Sequence, residues 1–273
     1  MHYRVRAGAR SPFMISSCLI GSTGFVGSNL QIQTTFQDGY ASTNSSDMRG
    51  KRYDVAVCCG VSAMKWRANA EPEEDLQRIR GLLANLAELQ AEQFILISTV
   101  DVFSSPDLVD EDSDPHSSLN EPYGKHRLLV EDFVCSRFDH SLIVRLPGLF
   151  GRGLKKNVIY DLLHDNNLNV INPDAAFQYY DINGLWRDIQ TARNAGLEIA
   201  HFATEPIVTS TIAERIFPGK KLGEAKATSR RYDMRTRFAE VFGGHNGYLY
   251  DAPQVLQQLD SYIASERGHS AAA

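Results

Sequence analysis

MISSCLIGSTGFVGSNL, residues 14–30, decides the fold. A short apolar run over residues 14–20 ends in Gly21, Gly24 and Gly27, spaced three apart, and an amphipathic segment begins at Phe25. This order predicts a strand, a tight glycine turn and a helix whose N-terminus meets a dinucleotide pyrophosphate. Gly21 permits the turn, Gly24 lets the backbone approach the phosphates, and Gly27 lets helix and strand pack closely. The unpaired amides and positive dipole end of the helix form an anion site. That assigns Gly21, Ser22, Thr23, Gly24, Phe25, Val26 and Gly27 to cofactor binding. Three glycines alone also suit a purely structural strand–helix turn; the flanking strand and helix patterns favour the nucleotide.

Strand and helix patterns then alternate along the chain, as in a parallel sheet covered on both faces. Asp38-Gly39 turns into a weak second strand at 40–43, and DVAVCC at 54–59 reads as a buried third. Pro72, Glu73, Glu74 and Asp75 open a helix, since proline suits its first turn and acids complement the dipole. Leu76, Ile79, Leu83, Leu86 and Leu89 give that helix an apolar stripe. FILISTV at 94–100 is a fourth strand, 123–137 a helix, and SLIVR at 141–145 a fifth strand stopped by Pro147-Gly148. Helical patterns at 157–164, 183–195, 209–216 and 254–264 and a strand at 198–203 complete the reading. The expected architecture is α/β, a Rossmann-like doubly wound parallel sheet with a small C-terminal substrate lobe. Its parts are a tail (1–13), a dinucleotide-binding domain (14–153), a substrate lobe (154–268) with elements near 183–203 returning to the sheet, and a tail (269–273).

Composition narrows the partners. The 273 residues carry 43% hydrophobic and 22% charged side chains and a net charge of −5, with a pI near 5.9. No global basic field favours nucleic acid or an anionic membrane. No apolar run approaches the ~18 residues of a membrane span, and the start lacks the apolar core of a secretory signal. Four cysteines without metal or disulfide spacing fit a reducing, cytoplasmic setting. No metal site is expected, and the acidic run VDEDSD at 109–114 reads as solvated loop.

Chemistry gathers at the carboxyl end of the fourth strand, where ligands of open α/β sheets bind. Ser98-Thr99-Val100-Asp101-Val102-Phe103 places hydroxyls there, and Tyr123-Gly124-Lys125-His126-Arg127 opens the next helix. With these motifs the chain resembles the extended short-chain dehydrogenases/reductases, the NAD-dependent epimerase/dehydratase family. GSTGFVG, STVDVF, PYGKHR and RLPGLFG carry the likeness over roughly residues 14–200.

The resemblance implies that Tyr123 is the acid/base and Thr99 its hydroxyl partner, with Ser98 the alternative. Hydride then passes between nicotinamide and a sugar carbinol or ketone. In the family a lysine four residues after the tyrosine lowers its pKa; here that position is Arg127. One helical turn keeps Arg127 on the tyrosine's face, where its charge favours phenolate and reaches the ribose hydroxyls. Arginine is nonetheless a planar fork, so the exchange is not automatically conservative. Lys125 lies on a different helix face, and His126 is expected at the surface.

The resemblance further implies cofactor contacts from Cys59, Gly60 and Val61 after the third strand, from Ser98, and from Pro147 and Gly148 after the fifth. NAD or NADP is expected, the choice unresolved. Asn44 suits either ribose, and Arg49, Lys51 and Arg52 are candidates for a 2′-phosphate. Asp101, Asn157 and Tyr180 are the substrate candidates, Asn157 alternatively a helix cap and the tyrosines of FQYYDINGLW alternatively pocket wall. Phe177 and Gln178 replace the family's Arg-Asp pair, which bears on a nucleotide-diphosphate substrate. The expected function is an NAD(P)-dependent oxidoreductase or epimerase on a sugar or sugar nucleotide. The alternative is a nucleotide-binding regulatory or scaffold protein with impaired turnover. A homodimer through helices near 72–91 and 123–137 is the expected assembly.

Overall fold

Cys18 and Leu19 are both fully buried yet belong to different apolar clusters. Successive strand residues face opposite sides of a sheet, so this strand is covered on both faces. The computed structural model describes residues 15–117, 121–226 and 230–271. The N-terminal tail expected over 1–13 lies outside them.

In chain order the strands are Ser17–Ile20 (β1), Asp38–Tyr40 (β2), Arg52–Cys58 (β3), Gln90–Thr99 (β4), Asp107–Val109 (β5) and Ser141–Leu146 (β6). Gly148–Phe150 (β7), Ala176–Phe177 (β8), Tyr179–Asp181 (β9), Ile199–His201 (β10), Ile207–Val208 (β11) and Asp233–Met234 (β12) follow. Six of them form one sheet in the order β10-β6-β4-β3-β1-β2, every pair parallel. From β1 the chain goes to β2 on one side and then to β3 on the other. The order therefore reverses between β1 and β3, which opens a crevice beyond their carboxyl ends.

The helices are Phe25–Gln33 (α1), Lys65–Ala70 (α2), Pro72–Ala87 (α3), Pro122–Arg137 (α4), Val158–His164 (α5), Leu185–Asn194 (α6), Thr209–Ile216 (α7) and Ala252–Ala271 (α8). Leu30 of α1 with Leu185, Ile189 and Ala192 of α6 seals one sheet face. Ile79 and Leu86 of α3 with Val130 and Val134 of α4 seal the other. A third cluster, built from α5, α7 and α8, forms the core of the C-terminal lobe. β10 and its preceding helix α6 belong to the sheet side, not to that lobe.

Several boundaries differ from the sequence reading: β4 begins at Gln90, α3 ends at Ala87 so that Leu89 of the expected stripe lies beyond it, and α8 begins at Ala252. β2 comes earlier than 40–43 because the Tyr40 carbonyl is needed as acceptor for the amides of Gly21 (2.7 Å) and Ser22 (3.0 Å). Pro147-Gly148 does not merely stop β6: Gly148 opens β7, which pairs with β9. The expected C-terminal tail is helical through Ala271, as the last part of α8. Finally, β5 and β12 pair across the two halves of the molecule, with Leu108 at φ 58 where their register shifts.

Candidate active site

The glycine turn has the shape its spacing predicts. Gly21 sits at φ +85, and a Cβ there would lie 2.6 Å from the Cys59 carbonyl carbon. A Cβ on Gly27 would lie 2.2 Å from the Gly21 carbonyl oxygen, so helix and strand close only on glycine. Gly24, by contrast, meets nothing nearer than 3.3 Å and is exposed. It caps α1 without a side-chain hydrogen bond, and the first turn carries no acid. The first amides of α1 are thus left to an outside acceptor, and no carboxylate opposes an anion there. Cys59, Gly60 and Val61 leave β3 beside this turn, the Cys59 thiol donating to the Ile20 carbonyl at 3.2 Å. Gly148 is exposed at the end of β6. These groups fit a dinucleotide.

Across the crevice, β4 delivers Thr99 and a short turn delivers Asp101, whose amide donates to Thr99 Oγ1 at 3.2 Å. Tyr123 stands in the first turn of α4, its amide held by Asn69 Oδ1 at 2.9 Å. The phenol is buried, and Thr99 is among the groups that act on it. Burial raises its pKa and Asp101 adds to the rise; Arg127, Lys65 and Thr99 oppose it, and the balance stays above the usual phenol value. Ser98 is not the partner, because its hydroxyl donates to Glu131.

Asp101 accepts from Lys65 Nζ at 2.8 Å and from the Tyr232 hydroxyl at 3.0 Å. All three line a cavity of about 420 Å³ together with Phe103, Pro106 and Gly124, the neighbour of Tyr123. Neither Lys65 nor Tyr232 was expected from sequence. Lys65 follows the third strand by a few residues, a region read only for its ribose contacts, and Tyr232 arrives from the C-terminal lobe.

Arg127 is placed otherwise than its spacing suggests. Its guanidinium does lie over the Tyr123 ring, 3.8 Å from the centroid. Yet it is buried and grips Asp75 of α3 with both terminal nitrogens, at 2.5 and 3.1 Å. It also donates to the carbonyls of Ser62 and Tyr123, and only Nε has no acceptor among the described residues. Burial alone would raise the Asp75 pKa, but Arg127 and His126 outweigh it and hold the carboxyl below its usual range. His126, expected at the surface, is drawn in to Asp75 at 2.7 Å. Asp75 itself had been read only as a dipole-complementing acid.

Several predicted contacts are spent inside the fold. Tyr180 is fully buried and donates to Asp188 at 2.6 Å, so it is core and not a substrate contact. Asn157 caps α5, accepting from the Tyr160 amide at 3.1 Å while donating to the Leu149 carbonyl at 2.8 Å. Asn44 accepts from the Ala41 amide at 2.6 Å and donates to the Gly39 carbonyl at 3.2 Å. Arg49 donates to Asn85, and Arg52 pairs with Glu92 at the amino end of β3, opposite the crevice. In the acidic run, Glu111 accepts from the His201 amide, Thr236 and the Arg237 amide, which makes it a structural clamp. Among the described residues no group of acids, histidines and cysteines is arranged to hold a metal, and no helix is long and apolar enough to cross a membrane.

The fold is shared with solved structures of sugar-nucleotide reductases and epimerases. Among particular structures, the chain is similar to a dTDP-4-dehydrorhamnose reductase from Bacillus anthracis in complex with NADP. The TM-score is 0.74 at 14% identity, over 94% of this chain and 100% of the other. It is also similar to a UDP-glucose 4-epimerase from Thermotoga maritima with UDP-glucose, at TM-score 0.71 and 14% identity over 93% and 99% of the chains. RMD from Pseudomonas aeruginosa complexed with NADPH matches at TM-score 0.69 and 16% identity, over 93% and 100%. No protein-family model and no curated protein matches the sequence.

Proposed function

We propose that this protein is an NAD(P)-dependent oxidoreductase acting on a hydroxyl or keto group of a sugar or sugar nucleotide, with reduction of a keto sugar the favoured direction. The observation that carries the reading is the placement of Tyr123, on which Thr99 acts, beside a cavity and across the crevice from a glycine turn whose Gly21 and Gly27 leave no room for a side chain. The structural neighbours, one with NADP, one with NADPH and one with UDP-glucose, support the same class of cofactor and substrate.

The first turn of α1 and Gly21 to Gly27 would hold the pyrophosphate, and Cys59, Gly60, Val61, Pro147 and Gly148 would border the ribose and nicotinamide. The bound cofactor supplies or accepts hydride at the substrate carbon. Tyr123 gives or takes the proton at the substrate oxygen, and Thr99 fixes that oxygen in line with the phenol. The raised phenol pKa keeps Tyr123 protonated at neutral pH, which suits the acid that a ketone reduction needs. Asp101, anchored by Lys65 and Tyr232, offers an acceptor to a neighbouring substrate hydroxyl. Arg127 has its terminal donors engaged and its Nε buried, so it offers a ribose no exposed donor.

That engagement favours a second reading, a nucleotide-binding protein of impaired turnover. Tyr123→Phe separates the two. The enzyme reading expects turnover of a nucleotide-linked 4-keto sugar to fall at least a hundredfold, with NADPH affinity nearly unchanged. Equal turnover in wild type and variant removes Tyr123 from the mechanism.

A further inference from the structure

Residues 61–64, VSAM, join the two parts of the site. Upstream, Cys59 and Gly60 press on the glycine turn, where a Cβ on Gly21 would lie 2.6 Å from both the Cys59 carbonyl carbon and Gly60 Cα. Downstream, α2 begins at Lys65, which meets Asp101 at 2.8 Å, and its Asn69 holds the Tyr123 amide at 2.9 Å. The link itself is neither helix nor strand, and the amides of Val61, Ser62 and Ala63 find no acceptor among the described residues. Its own hydrogen bonds are local, from the Lys65 amide to the Ala63 carbonyl and from the Met64 amide to Ser62 Oγ.

Two cations from separate elements reach this link. Arg127 of α4 donates from Nη2 to the Ser62 carbonyl, and Lys156, from the segment between β7 and α5, donates from Nζ to the Ala63 carbonyl. Arg127 is itself fixed by Asp75 and lies over the Tyr123 ring, so the first bond registers the link against the helix that carries the phenol. The second bond crosses the crevice from the C-terminal half. Holding two positive groups at neighbouring carbonyls is opposed electrostatically: burial first and then Arg127 depress the Lys156 pKa, against the pull of Asp101. Without such fixing, the link would have to be ordered when a ligand binds, and that cost weakens binding. We propose that Lys156 and Arg127 form a two-point clamp on residues 61–64, as positioning residues that hold the wall of the nicotinamide ribose in register with Tyr123 before the cofactor arrives. This rests on the reading of Cys59, Gly60 and Val61 as cofactor contacts.

Lys156 is exposed, so its variants test the clamp without opening the core. In the full chain, Lys156→Met should weaken NADH and NADPH binding alike, by about tenfold in a nicotinamide-fluorescence titration, the worth of one hydrogen bond to a charged group. Lys156→Arg, which keeps a donor, should restore the parent affinity. Arg127→Lys should weaken binding similarly, because one ammonium cannot serve both Asp75 and the Ser62 carbonyl. Trypsin cleavage after Lys65 or Arg67, measured without ligand, should be faster in Lys156→Met and return to the parent rate in Lys156→Arg. Lost affinity with unchanged cleavage means that Lys156 attracts the phosphates as a bare charge, and overturns the clamp. Faster cleavage with unchanged affinity separates the link from the cofactor site and overturns it equally. A wild type that saturates with neither nucleotide fails differently: it removes the cofactor reading, and with it the role of the clamp, while the cleavage rates still report whether residues 61–64 are held.

Discussion

Asp75 decides what Arg127 can do. A guanidinium one turn after a catalytic tyrosine is read most simply as a phenolate-stabilising cation, yet here it forms a buried, bidentate pair across two helices. Removing one partner of such a pair leaves an uncompensated buried charge, at a cost of about 3–5 kcal/mol. Arg127→Met should lose stability of that order in urea unfolding. Asp75→Leu combined with Arg127→Met should recover much of it, because the double replacement strands no charge. Tyr123 and Thr99 were legible from sequence because each lies in a short motif at a fixed place relative to a strand or helix. Asp75 was not, because it lies 52 residues from Arg127 and the pairing depends on how α3 packs on α4. The first-turn position of Asp75 has an adequate local explanation, and that explanation hid the tertiary one.

Buried polar side chains tie four elements together behind the site. Ser98 on β4 donates to Glu131 on α4, Arg145 on β6 pairs with Glu131 at 2.7 Å, and Arg145 also reaches His201 on β10 at 3.2 Å. His201 Nδ1 donates to the Arg235 carbonyl at 2.9 Å, so Nε2 is the lone-pair nitrogen that faces the Arg145 N–H. Protonation would set two donors against each other. Burial foremost, with Arg145 adding to it, pushes the His201 pKa down to about 4. The unfolded chain, with an ordinary histidine near pH 6.5, then binds the proton that the folded chain refuses. Stability should therefore fall as pH drops from about 6.5 toward 4, by up to about 1.4 kcal/mol per pH unit, and level off below. Melting wild type and His201→Gln across that window should show a steeper acid loss in wild type. The elements themselves were readable, since β4, β6 and β10 are apolar runs of strand length, but the network was not. A lone histidine near a strand end carries no sign of which arginine it will meet.

At the scale of the whole molecule, the two halves meet around the crevice through a few specific contacts. Asn29 of α1 donates to the Arg152 carbonyl at 3.0 Å, Lys156 donates to the Ala63 carbonyl, and β5 pairs with β12. A nucleotide spanning the crevice would touch both sides, so binding should be visible in global stability. A ligand bound only by the folded chain adds about 2.7 kcal/mol at a hundredfold excess over Kd. Which nucleotide binds depends on the carboxyl end of β2, where an acid would select NAD and a cation NADP. Residues 41–46, ASTNSS, carry neither. Asn44 is spent on its own turn, Arg49 donates to Asn85, and Arg52 lies at the far end of the sheet. Sequence spacing alone left these basic residues as candidates, because it does not show which end of a strand a neighbouring residue occupies. With Arg49 and Arg52 engaged and only the exposed Lys51 left of the three, residues 41–46 give neither ribose an advantage, and NADH and NADPH should bind within about tenfold of one another, a difference of about 1.4 kcal/mol at most. Titration with each, followed by nicotinamide fluorescence and by melting temperature, checks this directly. A preference above a hundredfold would place a selecting charge outside residues 41–46, and saturation by neither would leave the glycine turn a purely structural device and favour the reading of lost turnover.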